Sequence, residues 1–102
     1  MDRYGICGKI VAQEGQRDAL IEILMEASRT EMKGCELYVV CKSPIEEDAI
    51  WVMEVWQTEA DHEASFELDS VKALITKARP IMVGGTDNIR MVPVGGKGLA
   101  SI

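Results

Sequence analysis

Residues 49–57 read Ala-Ile-Trp-Val-Met-Glu-Val-Trp-Gln, a β-branched and aromatic run that favours a strand. Side chains alternate across a strand. Ile50, Val52, Glu54 and Trp56 therefore share one face, and Ala49, Trp51, Met53 and Val55 the other. Both faces are largely apolar, whereas an antiparallel sheet with one wet side carries polar residues there. The helices of a short chain can cover one face only. Burying one Met or Val side chain is worth ~1.5–3 kcal/mol, and leaving Trp51, Met53 and Val55 wet would invite aggregation. The expectation is a homodimer packed sheet on sheet, closing a barrel. The alternative is a tail or loop folded over that face.

The elements around this strand follow from periodicity. Tyr4 to Ala12 reads as a first strand, broken by Gln13-Glu14-Gly15-Gln16. Leu20, Ile23, Leu24 and Ala27 then recur at i, i+3, i+4, i+7, one apolar helix face. Gly34, after Met32-Lys33, predicts the helix stop. Glu36 to Lys42 is a second strand, ended by Pro44, and Glu46-Glu47-Asp48 connects it to the third. Thr58 caps a helix, with Asp61 three residues on. Asp69-Ser70 predicts a second cap, Val71, Leu74, Ile75 and Ala78 a further amphipathic stretch, and Pro80 its end. Gly84-Gly85 and Asp87-Asn88 predict a turn before a fourth strand, Ile89 to Val94. The order β-α-β-β-α-β is that of a ferredoxin-like α+β fold, in one domain over 1–95 with a Gly-rich tail over 96–102.

Composition narrows the function. The 102 residues are 47% hydrophobic, which makes wholesale disorder unexpected, and too few for a two-domain cofactor enzyme. Eleven basic against 17 acidic residues give a net charge of −6 with no basic run, which argues against binding nucleic acid or an anionic membrane. No apolar stretch approaches the ~20 residues that span a bilayer, and Met1-Asp2-Arg3-Tyr4-Gly5 lacks a signal-peptide pattern. Cys7, Cys35 and Cys41 form no C-x-x-C pair and fit reduced thiols in the cytoplasm. There is no G-x-G-x-x-G or G-x-x-x-x-G-K-[ST] motif, and one histidine with scattered cysteines cannot build the usual zinc site. No metal and no cofactor is expected.

His62, the only histidine, is the one side chain whose ordinary pKa (~6.5) suits proton exchange near neutrality. It falls in the first turns of the helix after Trp56. The plainer reading is a solvent-facing helix residue beside Asp61 and Glu63. Glu54 shares a strand face with Trp56. If buried it needs a partner, and Arg79 or Arg90 is expected to supply one. Arg79 could instead meet an acidic or phenolate substrate. Trp56, Phe66, Leu24 and Val52 could wall a pocket, although as bare apolar residues they also describe ordinary core.

The run Ile50-Trp51-Val52-Met53-Glu54-Val55-Trp56, followed by Thr58-Glu59-Ala60-Asp61-His62-Glu63-Ala64-Ser65, resembles the antibiotic biosynthesis monooxygenase superfamily. There a strand ending E-x-W precedes a helix with an alanine- and histidine-containing face. Ala12 to Leu20 is similar to its strand-to-helix turn, Gly34-Cys35 to its P-G-C, and Pro93-Val94-Gly95-Gly96 to the end of a quinol monooxygenase-like branch. The resemblance implies a dimeric α/β barrel with a pocket in each subunit, and oxidation of a quinol or polycyclic phenol by O2 without metal or flavin. It implies Trp56 as a pocket wall and His62 as a base or hydrogen-bond donor to a phenolic oxygen, with Val52, Glu54, Phe66, Leu24 and Arg79 around the substrate. Family histidines are replaced, at the places that look equivalent, by Ser65 and Ser70. The Asn, Trp and His of the haem-degrading branch align with Gly8, Ser65 and Ile75, which disfavours haem degradation. A small-metabolite isomerase or decarboxylase in the same pocket, or a non-catalytic ligand-binding module, are the alternatives.

Overall fold

The computed structural model describes residues 2–99. The chain forms β1 (Tyr4–Ala12), α1 (Arg17–Arg29), β2 (Cys35–Lys42), β3 (Ala49–Trp56), α2 (Glu59–Ser65), α3 (Asp69–Ala78), a 3-10 turn (Arg79–Ile81) and β4 (Met82–Met91). The strands make one antiparallel sheet in the order β2-β3-β1-β4. This is the ferredoxin-like α+β arrangement, with its second helix in two pieces. Thr58 Oγ1 accepts from the Asp61 backbone N–H at 3.0 Å, the expected cap of α2. Asp69 opens α3 as its first residue rather than capping it; Leu68 occupies the cap position.

The chain departs from expectation at two further boundaries. Helix α1 ends at Arg29, where the Thr30 hydroxyl donates to the Glu26 carbonyl and its N–H to that of Ala27. Gly34 instead serves the turn into β2 with φ +81°, and its carbonyl accepts from Gln57 N–H at 2.8 Å. The fourth strand starts at Met82 and ends at Met91, so Gly84 to Asn88 lie within it. Lys9 pairs with Asp87 and Val11 with Val83, so β4 carries two extra residues there. The glycines are absorbed as an irregularity on an edge strand, a place where sheets tolerate them. Of the expected 96–102 tail, Gly96 bridges Leu99, and residues 100–102 lie outside the described residues.

The inner sheet face packs against α1 and α3. Ile50, Val52 and Trp56 of β3 are buried there with Leu20 and Leu74, and Ala12, Leu20, Ile50, Val52 and Ala78 form one cluster. The outer face carries two apolar rows beside a row in which Trp51 aligns with Lys9 and Asp87. Register aligns Val39, Met53, Cys7 and Ile89 in one row, and Leu37, Val55, Gly5 and Met91 in the next. Val39, Met53, Ile89 and Met91 are 37–55% exposed. Pro93 sits over Gly5 at the end of this face, and it leaves those four side chains open.

Candidate functional site

Between the inner face and the helices lies a cavity of about 440 Å³, within the range of small-molecule sites. Its floor is Ile6, Gly8 and Ile10 of β1 with Val52, Glu54 and Trp56 of β3; its roof includes Leu24 of α1, His62 and Phe66 of α2, and Leu74 of α3. The apolar stripe on α1 is thus divided. Leu20 is sealed in the core, while Ile23, Leu24 and Ala27 are half-buried because they line this hollow. Arg79 and Asn88, both exposed, stand on its lining as well. Gly8 keeps that edge open: a Cβ there would lie 2.7 Å from the Asn88 Oδ1 atom.

One group of polar and aromatic side chains interrupts the apolar lining. Trp56 Nε1–H donates to Glu54 Oε1 at 2.9 Å. His62 Nε2 stands 4.0 Å from the same oxygen. The Tyr4 ring stacks on the imidazole at 4.8 Å and 24°, while Trp56 and Phe66 meet it edge-on at 5.4 and 5.2 Å. Register brings Tyr4 opposite Trp56, and Glu54 between Tyr38 and Ile6. The α2 backbone fixes the height of His62: its N–H bonds to the Thr58 carbonyl, and Ser65 Oγ–H donates to its carbonyl at 2.6 Å.

Burial biases this group toward its neutral forms. Burial pushes the Glu54 carboxyl above its usual range, an effect the Trp56 hydrogen bond partly offsets. Burial lowers His62, and the Arg90 guanidinium lowers it further, against smaller opposing pulls from Glu63 and Glu59. Both shifts favour the neutral forms and so work against an ion pair across the 4.0 Å gap. Burial also raises the Tyr38 phenol, which faces Glu54 across β2 and β3. His62 Nδ1 is buried with no hydrogen-bond partner among the described residues. A buried polar atom left open in this way calls for an explanation. A neutral imidazole at the wall of a largely apolar cavity can accept a proton.

The structure brings the expected residues together. Trp56, Val52, Leu24, Phe66, Glu54, His62 and Arg79 all line the cavity, and His62 does not project into solvent, its side chain being 14% exposed. The expected ion pair of Glu54 is not formed. Its partner is the Trp56 indole, because Arg90 is drawn to Glu59 (3.5 Å) and to the Tyr4 ring, 3.8 Å from its centroid. Tyr4, Tyr38 and Asn88 were not expected at the site, and Arg90, expected beside Glu54, stands instead against Tyr4 and Glu59. Strand alternation alone puts Tyr4 on the Ile6 and Gly8 face, but only pairing places it beside Trp56 and His62. Among the described residues, no group of three or more His, Cys, Asp or Glu side chains is placed to hold a metal ion.

This geometry can be set beside known proteins. A structure from Chloroflexus aurantiacus, described as a "putative Antibiotic biosynthesis monooxygenase", shares 45% identity over 96% of this chain and 99% of its own, with a TM-score of 0.89. One from Caulobacter crescentus CB15, described in the same words, shares 18% over 92% of each chain at a TM-score of 0.83. A third, from Nitrosomonas europaea, shares 12% over 91% of each at 0.79. At such low identity the last two speak for the fold alone. No curated protein matches the chain. The antibiotic biosynthesis monooxygenase profile matches residues 4–77, from the start of β1 to the last turn of α3, and the chain belongs to that family.

Proposed function

We propose that the protein is a cofactor-independent monooxygenase that oxidises a quinol or polycyclic phenol with O2 in this cavity. One observation carries the reading: a buried, neutral imidazole with an unpartnered Nδ1, set among aromatic rings at the wall of an otherwise apolar hollow. A phenol must give up its proton before it readily gives an electron to O2. His62 is the base, and it acts only as the neutral form that burial favours. Trp56, Phe66, Val52 and Leu24 enclose the ring and keep water from the reactive intermediates. Glu54, held by the Trp56 indole, hydrogen-bonds a second oxygen of the substrate.

The balance closes without another reductant. A hydroquinone and one O2 give a hydroxyquinone and one water: one oxygen atom enters the ring, the other leaves as water, and the substrate supplies all the electrons. Metal and flavin are not required by this stoichiometry. The protein acts as a homodimer, with a second copy covering the row of Val39, Met53, Cys7 and Ile89. Three free cysteines suit a reducing, cytoplasmic setting.

Oxygen uptake with a panel of quinols and fused-ring phenols tests the reading. Uptake is expected with at least one, falling about 100-fold or more in His62→Ala as general-base catalysis is lost. Its rate should fall on the acid side as His62 takes up a proton. Equal rates in His62→Ala remove His62 from the mechanism. No uptake with any member, or turnover that persists without oxygen, removes the reaction.

A further inference from the structure

Three planar groups lie in a pile on one side of the site. The Arg90 guanidinium carbon is 3.8 Å from the Tyr4 ring centroid, and the Tyr4 ring lies 4.8 Å from the imidazole of His62 at only 24° between planes. Arg90 is anchored in turn by Glu59 of α2, with Nη1 3.5 Å from Oε2. A guanidinium over a phenol ring is an attractive cation–π contact, and its flat fork stacks where a lysine ammonium does not. The pile therefore ties edge strand β4, through β1, to the helix that carries His62. We propose that Arg90 is a positioning residue for His62: it clamps Tyr4 flat against the imidazole and sets a fixed positive charge on that side of it.

The titratable and charged groups around the imidazole are Tyr4 of β1, Glu54 of β3, Arg90 of β4, and Glu59 and Glu63 of α2. Arg90 is the one cation among them. It opposes protonation of His62, and burial acts in the same direction. Without it, the imidazole would face carboxyl groups on two elements and would protonate more readily. That the clamped imidazole serves catalysis rests on the proposed monooxygenase reading; the clamp itself does not.

Because His62 is the only histidine, its ring resonances can be followed unambiguously by NMR as pH is varied on the intact protein. At a fixed pH near the midpoint, R90Q is expected to raise the ratio of protonated to neutral imidazole roughly threefold or more. It should also move the imidazole C–H resonances away from their wild-type positions as the ring-current shift of Tyr4 is lost. R90K, which keeps the charge but not the flat stack, is expected to restore the ratio in part and leave the resonances displaced. An unchanged ratio together with unchanged resonances in R90Q overturns the proposal. The Arg90 side chain is 51% exposed, so folding should survive. If R90Q does not fold, imidazole resonances in R90K identical to wild type overturn the proposal equally. In active protein, R90Q should move the acid limb of oxygen uptake to higher pH. Absent uptake with every phenol would remove the reaction and leave the clamp standing, whereas an unmoved titration with unmoved resonances would remove the clamp and leave the reaction.

Discussion

Replacing Glu54 by Gln should make the protein more stable and less active, with the stability gain confined to one side of the pH scale. The Glu54 side chain is 18% exposed, and burial holds its carboxyl above the ordinary range. In acid, both the folded and the unfolded chain carry the proton and the charge penalty is absent. As pH rises through the ordinary carboxylate range, the unfolded chain releases its proton first, so stability falls with pH until the folded carboxyl also ionises. Gln keeps the shape and the acceptor that receives Trp56 Nε1–H at 2.9 Å, but carries no charge to bury. The gain at pH 8 should be about 1 kcal/mol, the usual size of a single-substitution effect on stability. For a domain of this size that raises Tm by roughly 4–8 °C. Urea unfolding at pH 4, 6 and 8, at one protein concentration, reads the difference. The gap between variant and wild type should open from near zero at pH 4 and widen toward pH 8. A variant less stable than wild type at pH 8, or a gap that widens toward acid, would refute the reasoning. A stable variant that loses oxygen uptake would mark a carboxyl kept for chemistry at the expense of the fold.

Leu20→Ala empties one of the fully enclosed aliphatic sites, at 0% exposure, and should cost about 3–5 kcal/mol in denaturant unfolding; a loss under 1 kcal/mol would mean the cluster collapses around it. Gly34→Ala puts a Cβ on a residue at φ +81° and against the Asp61 carboxylate, so it should lower stability by at least about 1 kcal/mol, again read by urea unfolding. Met53→Asp charges the centre of the exposed apolar row. Sedimentation should show a dimer for wild type and a monomer for the variant, and a wild-type monomer would overturn the sheet-on-sheet assembly.

Much of the fold was legible because it rests on local rules. Alternation in residues 49–57 divided β3 into the faces the structure uses, the spacing of Leu20 to Ala27 predicted α1, and Thr58 capped α2 as its hydroxyl requires. The errors fell where local signals are ambiguous. Gly34 was a stop signal for a turn rather than for a helix, and Gly84 lies in an edge strand where its lack of a side chain costs little. Two of the site residues missed, Tyr4 and Asn88, sit on β1 and β4, which carry no marked motif.

The amino-acid order by itself determined the α+β layering, the doubly apolar central strand and the candidacy of Trp56 and His62, because periodicity and capping act between residues a few positions apart. Tertiary structure alone decided that Glu54 binds the Trp56 indole instead of an arginine, and that Arg90, Tyr4 and His62 stack. Those choices depend on strand register, which sets residues dozens of positions apart side by side and leaves no trace in local spacing. The imidazole is kept neutral by the same packing, since its proton affinity answers to its surroundings in space and not to its sequence neighbours.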